Sequence, residues 1–139
     1  NLPTLGVEHN GGGIAFEPLK KLWVVVGENG DEGQAEAQIT TSWRGKVLRY
    51  NSDGTIPSDN PFGAGNPVYS IGHRHPFRIV TRPSTGTMYV SENGDNVHDE
   101  INAITSGANY GWPIQEGPGG GFTDPFYSFF ILGSDYRHH

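Results

Sequence analysis

An all-β chain built from a repeated unit is what this sequence predicts, and three observations carry the prediction. The first is composition. Of 139 residues, 21 are Gly and 10 are Pro, and they separate short runs rich in Val, Ile, Thr and Tyr, the usage of short strands joined by turns. The second is an internal repeat: residues 22–31 (LWVVVGENGD) align with residues 86–95 (GTMYVSENGD), each an apolar run closed by Glu-Asn-Gly-Asp. The third is that a strand-like segment follows each copy, GKVLRYNSDG at 45–54 and DEINAITSGANYG at 99–111. A period of about 55 to 65 residues matches the blade-sized repeats of all-β propellers and exceeds most helical repeats. Two blades are visible.

Taken in order, strands are expected at 13–16, 22–28, 46–51, 68–71, 78–82, 87–92 and 100–104. Alternation within 46–51 is imperfect, as befits a strand covered on both faces. NSDG at 51–54 and PSTG at 83–86 hold the Asn, Asp, Pro and Gly of tight turns and are expected as hairpin tips. Residues 32–43 (EGQAEAQITTSW) favour helix locally and read as a loop insertion with at most a short helix. From Gly117 onward the pattern becomes glycine-rich and then aromatic, with no strand repeat. There Phe122, Phe126, Tyr127, Phe129 and Phe130 are expected to pack on the blades or to cover an open edge. The length suits one domain with its own core, a blade-like segment over 1–116 with a tail over 117–139.

Charge excludes some functions. The net charge of −6, with only nine Lys and Arg spread thinly, is the opposite of a phosphate-tracking surface, so nucleic acid is not expected as a partner. No apolar run approaches the roughly 20 residues that cross a bilayer, and no basic segment followed by an apolar core opens the sequence; a soluble chain is expected. Without Cys there are no disulfides, thiol chemistry or Cys-based metal sites. His73 and His75 flank Arg74 without a third ligand nearby in sequence, so zinc is not expected. The Gly runs at 11–13 and 119–121 lack the Lys or strand-helix context of phosphate and dinucleotide loops, and there is no G-x-S-x-G elbow.

Several short motifs occur in fixed order from His9 to Pro113: HNGGGIAF, GENGDEG, RGKVLRYNSDGTIPSDNPF, SIGHRHPF, VSENGDNVHDEINAI and NYGWP. Together they resemble the central portion of the soluble quinoprotein sugar dehydrogenases, the glucose/sorbosone dehydrogenase family. The resemblance implies a six-bladed propeller holding pyrroloquinoline quinone (PQQ) and calcium, of which this chain represents two to three blades. It implies a PQQ- and calcium-dependent enzyme that oxidises the anomeric carbon of an aldose to a lactone, in the periplasm or outside the cell.

The resemblance also implies roles. His9 is the general base that takes the proton of the anomeric hydroxyl while hydride passes to PQQ. Glu28, nineteen residues later where the family often has Asp, orients the His9 ring, since a carboxylate on one ring nitrogen fixes the tautomer. Arg74 contacts PQQ, for which a planar guanidinium suits a planar anion. Its neighbour His75 stands where the family usually has Asn, and Asn93 belongs to the same cofactor-binding group. Gly94 and Asp95 are implied as calcium ligands in an oxygen-rich turn of the kind a hard cation takes. Plain alternatives stand beside these: Arg74 paired with a surface carboxylate, and Glu-Asn-Gly-Asp as a blade turn. A second reading of the whole is a non-catalytic partial propeller that binds carbohydrate or protein. On either reading, open blade edges are expected to lead to self-association or to be covered by the aromatic tail over 122–130.

Overall fold

A computed structural model describes residues 8–18, 20–30 and 34–131 of the chain. Its regular elements are almost entirely strands. β1 (Gly11–Phe16), β2 (Leu22–Val26), β3 (Lys46–Tyr50) and β4 (Val68–Ile71) form one four-stranded sheet; β5 (His75–Thr81), β6 (Met88–Asn93), β7 (His98–Ala103) and β8 (Tyr127–Phe130) form the other. Each sheet is an antiparallel meander in chain order, the form of a propeller blade. The two copies of the repeat fall on β2 and β6, the second strand of each sheet, and are structurally equivalent.

The sheets pack face to face because side chains alternate across each strand. From the first sheet Trp23, Val25 and Val47 meet Ile79, Met88, Val90 and Ile104 of the second. Tyr110 closes that cluster, its hydroxyl donating to the Ala103 carbonyl at 2.7 Å. Behind the first sheet, Val26, Leu48, Val68 and Ile71 form a second cluster covered by Trp43 and Phe62. The first strands of the two sheets, β1 and β5, lie side by side, tied by the Thr81 hydroxyl donating to the Phe16 carbonyl at 3.1 Å.

Local chemistry sets the connections. PSTG is a hairpin tip, with Arg82 N–H on the Thr87 carbonyl at 2.8 Å. NSDG differs from expectation: it turns tightly, Asn51 N–H reaching the Thr55 carbonyl at 2.8 Å, but opens a long connection to β4 instead of closing a hairpin. Asn60 pins that connection by donating to the carbonyls of Arg49 and Asn66, both at 3.0 Å. The helix-favouring segment yields one 3₁₀ turn, Gln34–Gln38. The aromatic tail covers an edge, one of its two expected roles, but does so as a strand: Tyr127–Phe130 pairs with β7 and completes the second sheet. A four-residue strand after a glycine-rich loop carries too little alternation to be read from sequence.

Candidate active site

Most groups of interest lie at one end of the two sheets, where β2 and β6 run out into the Glu-Asn-Gly turns. Glu28 is fully buried, and its Oε1 contacts His9 Nδ1. His9 sits just before β1 at φ 52°, a left-handed conformation unusual for a side chain larger than Gly. The Asn29 N–H holds its carbonyl at 3.3 Å. Gly27 makes room for this crossing, since a Cβ there would come to 1.7 Å from the His9 carbonyl oxygen. When the Nδ1–H donates to the Glu28 carboxylate, Nε2 is left as the nitrogen that can accept a proton.

Arg74 joins this pair to the second turn. Its carbonyl accepts from the Glu28 N–H at 2.9 Å. Its guanidinium donates from Nη1 to the Gly94 carbonyl at 2.5 Å and from Nη2 to the Asp95 carboxylate at 3.0 Å, and lies 5.2 Å from the Trp112 ring. Pairing with a carboxylate, one of the plain expectations for Arg74, is thus present. His75 reaches the same patch, its ring 5.2 Å from that of His9 and its backbone in register with Asn93. Burial, and then the neighbouring charges of His9 and Arg74, hold the His75 imidazole below its usual pKa. The structure therefore brings His9, Glu28, Arg74, His75, Asn93, Gly94 and Asp95 into one neighbourhood.

Four further residues build the site, three of which the sequence did not single out and one, His73, that it weighed only as a metal ligand. Glu116 accepts the N–H groups of Asp95 (2.7 Å), Asn96 (3.3 Å), Val97 (3.2 Å) and His98 (3.0 Å), which fixes the turn carrying Gly94. Trp112 supplies the face over which Arg74 lies. His73 and Glu92 form a second His–Glu pair, 2.8 Å between Nδ1 and Oε2. Its separation of nineteen residues is that of His9 and Glu28. That spacing, anchored on the two Glu residues of the repeat, was the signal available in the sequence.

Arg74, Glu92, Glu100 and Trp112 border a small cavity of about 10 Å³, room for about one water. Burial, and secondarily the Glu92 charge, raises the pKa of Glu100 there. Two donors beside the cavity, the buried Nε–H of Arg74 and the indole N–H of Trp112, have no hydrogen-bond partner, and the carboxylates of Glu92, Glu100 and Glu116 share the lining. A metal fits less well. Among the described residues no three His, Asp or Glu side chains converge on one position, and Arg74 already engages the Gly94 carbonyl and the Asp95 carboxylate.

Residues 3–119 match the glucose/sorbosone dehydrogenase family. The chain belongs to that family. It is 37% identical over 125 residues to quinoprotein glucose dehydrogenase B of Acinetobacter calcoaceticus, covering 76% of this chain and 26% of that protein. With aldose sugar dehydrogenase YliI of Escherichia coli it shares 36% over 118 residues, 81% of this chain and 31% of the relative. Among solved structures, the PQQ-bound aldose sugar dehydrogenase of Streptomyces coelicolor superposes with a TM-score of 0.85 at 43% identity, over 94% of this chain and 38% of that one. The chain thus spans well under half the length of these relatives, and its two sheets are part of a propeller of their kind.

Proposed function

We propose that this chain is the portion of a PQQ-dependent aldose dehydrogenase that carries the general base and part of the cofactor cradle, for oxidation of an anomeric carbon to a lactone. The observation that carries the reading is the His9–Glu28 contact, a partly exposed imidazole held by a buried carboxylate. PQQ, when bound, supplies the two-electron oxidant. His9 takes the hydroxyl proton at Nε2. Glu28 keeps the ring in the tautomer that leaves Nε2 free, and its burial holds the pair in one orientation. Arg74, His75 and Asn93 would contact the cofactor, the guanidinium offering paired donors to a carboxylate or quinone oxygen.

Calcium belongs to the proposal through main-chain oxygens of Gly94 and Asp95. A carbonyl oxygen has two lone pairs, of which Arg74 uses one at Gly94. A periplasmic or secreted location goes with the family resemblance; no helix among the described residues is long and apolar enough to cross a membrane.

A second reading, a binding module without turnover, is favoured by one observation. Arg74 is already engaged by Gly94 and Asp95. Calorimetric titration of the chain with PQQ, with and without calcium, followed by an aldose and an artificial electron acceptor, separates the two. Calcium-dependent binding with acceptor reduction is expected. Absence of PQQ binding at saturating calcium would remove the enzyme reading and leave the module.

A further inference from the structure

The buried pair His73–Glu92 has the spacing of the candidate base pair but a different setting. His73 is fully buried, its Nε2 2.9 Å from the Ser70 hydroxyl and its ring stacked on Tyr110 with centroids 4.8 Å apart. No substrate proton can reach it. Glu92, also buried, accepts on Oε2 from His73 Nδ1 at 2.8 Å and from Asn102 Nδ2 at 3.1 Å. Its Oε1 accepts the backbone N–H of Arg74.

Burying a carboxylate is costly unless its oxygens are met by donors. A well-packed apolar side chain would fill the same space without that cost, so a carboxylate at this place calls for a use of its acceptor oxygens. Oxygen Oε1 shows the use. Arg74 has its N–H on the Glu92 carboxylate and its C=O on the Glu28 N–H. The residue is thus gripped on both sides of its α-carbon by the Glu residues of the two repeats.

We propose that Glu92, locked in place by His73 and Asn102, is the positioning residue that aims the Arg74 guanidinium at Gly94, Asp95 and the Trp112 face. In this blade the His–Glu pair anchors the cofactor-contacting arginine, where in the first blade it presents a base. The proposal rests on the PQQ reading for the purpose of Arg74, but the anchoring itself is a property of this chain alone.

The test is NMR of the ¹⁵N-labelled chain without cofactor, comparing wild type with Glu92→Gln. A glutamine offers one acceptor oxygen and an NH₂ where Glu92 has two acceptors, so it cannot receive His73, Asn102 and Arg74 together. The Arg74 backbone amide, its Nε–H and the Trp112 indole N–H are expected to shift, with Val25 in the core unmoved. Asn102→Ala, which removes one donor and leaves the carboxylate, should move the same resonances less; it serves also if Glu92→Gln does not fold. Arg74 and Trp112 side-chain signals that stay in place in a folded variant would overturn the proposal, because a merely structural Glu92 would lower stability and leave them alone. In PQQ titrations Glu92→Gln should weaken binding about tenfold, the scale on which supporting contacts act on a bound group. A wild-type chain that binds no PQQ overturns the functional reading, and the cofactor-free spectra still decide this one.

Discussion

The Glu28 N–H donates to the Arg74 carbonyl at 2.9 Å, so the carboxylate that orients the candidate base and the arginine of the candidate cofactor cradle share one backbone joint.

Replacing His9 by Ala should lower aldose turnover by about 10²–10⁴-fold, the usual contribution of a general base, with PQQ affinity little changed. Glu28→Gln leaves the imidazole in place but lets an amide stand where the carboxylate accepted. Turnover should fall less steeply than in His9→Ala, and ring ¹⁵N shifts of His9 should report a changed tautomer. Equal turnover in His9→Ala and wild type would remove His9 from the chemistry.

Gly27→Ala tests the backbone crossing that seats His9. The added Cβ would sit 1.7 Å from the His9 carbonyl oxygen, so the segment must move, at a cost of about 1–3 kcal/mol. Gly54 is a control of another kind. Its φ is +84° with nothing near a new Cβ, and Gly54→Ala should cost only the left-handed penalty of about 1 kcal/mol. Chemical denaturation should rank Gly27→Ala as the more damaging, and only it should disturb the His9 resonances.

Much of this was legible in the sequence, and the reasons are specific. The β2 and β6 strands announced themselves because an apolar run ended twice in Glu-Asn-Gly, and the expected site residues clustered because those turns lie at the same end of equivalent strands. The pairing of His73 with Glu92 stayed hidden because burial, which separates an anchor from a base, leaves no mark on residue type. Glu116 and Trp112 act from a loop whose approach to β6 is long-range and irregular. β8 was missed for want of alternation, since its partner β7 and not its own pattern makes it a strand.

Lys46 gives a pH prediction. Its ammonium is buried among the carbonyls of Glu36 and Ala37, both at 2.8 Å, and Arg44 at 2.6 Å. Burial lowers its pKa from 10.5 to about 7, with the Glu36 charge opposing. Between those values the unfolded chain holds a proton that the folded chain has lost, so stability from this group rises with pH across the window and is flat below it. Lys46→Met should abolish that rise while leaving three carbonyls without their donor, a loss of about 3 kcal/mol or more. Urea titrations of both proteins from pH 6.5 to 10 check the slope; identical slopes would exclude Lys46 as its source.

The last prediction concerns the face of the second sheet turned away from the first. In-register pairs place Val80 beside Tyr89 and Ile101 beside Tyr127 on that face, with Phe129 next to Asp99. Val80, Phe126, Tyr127 and Phe129 are all exposed there. Exposed apolar side chains gathered on one sheet face are of the kind that serves association, and the chain already shows what packs on such a sheet. The Trp23, Val25 and Val47 face of the first sheet docks on the Met88 and Val90 face of the second, and by the repeat the Tyr89 face is the counterpart of the Val25 face. It would therefore dock on the β1 side of the outer face of the first sheet of a second copy, where Ile14 and Phe16 are exposed beside the part that Trp43 and Phe62 cover, a head-to-tail contact that closes into a ring or runs on as a filament. Sedimentation velocity should show association that grows with concentration, and the double variant Val80→Asp, Phe129→Asp should sediment as a monomer with unchanged circular dichroism. A wild-type chain that stays monomeric throughout the micromolar range would show that this face has no such partner in a second copy.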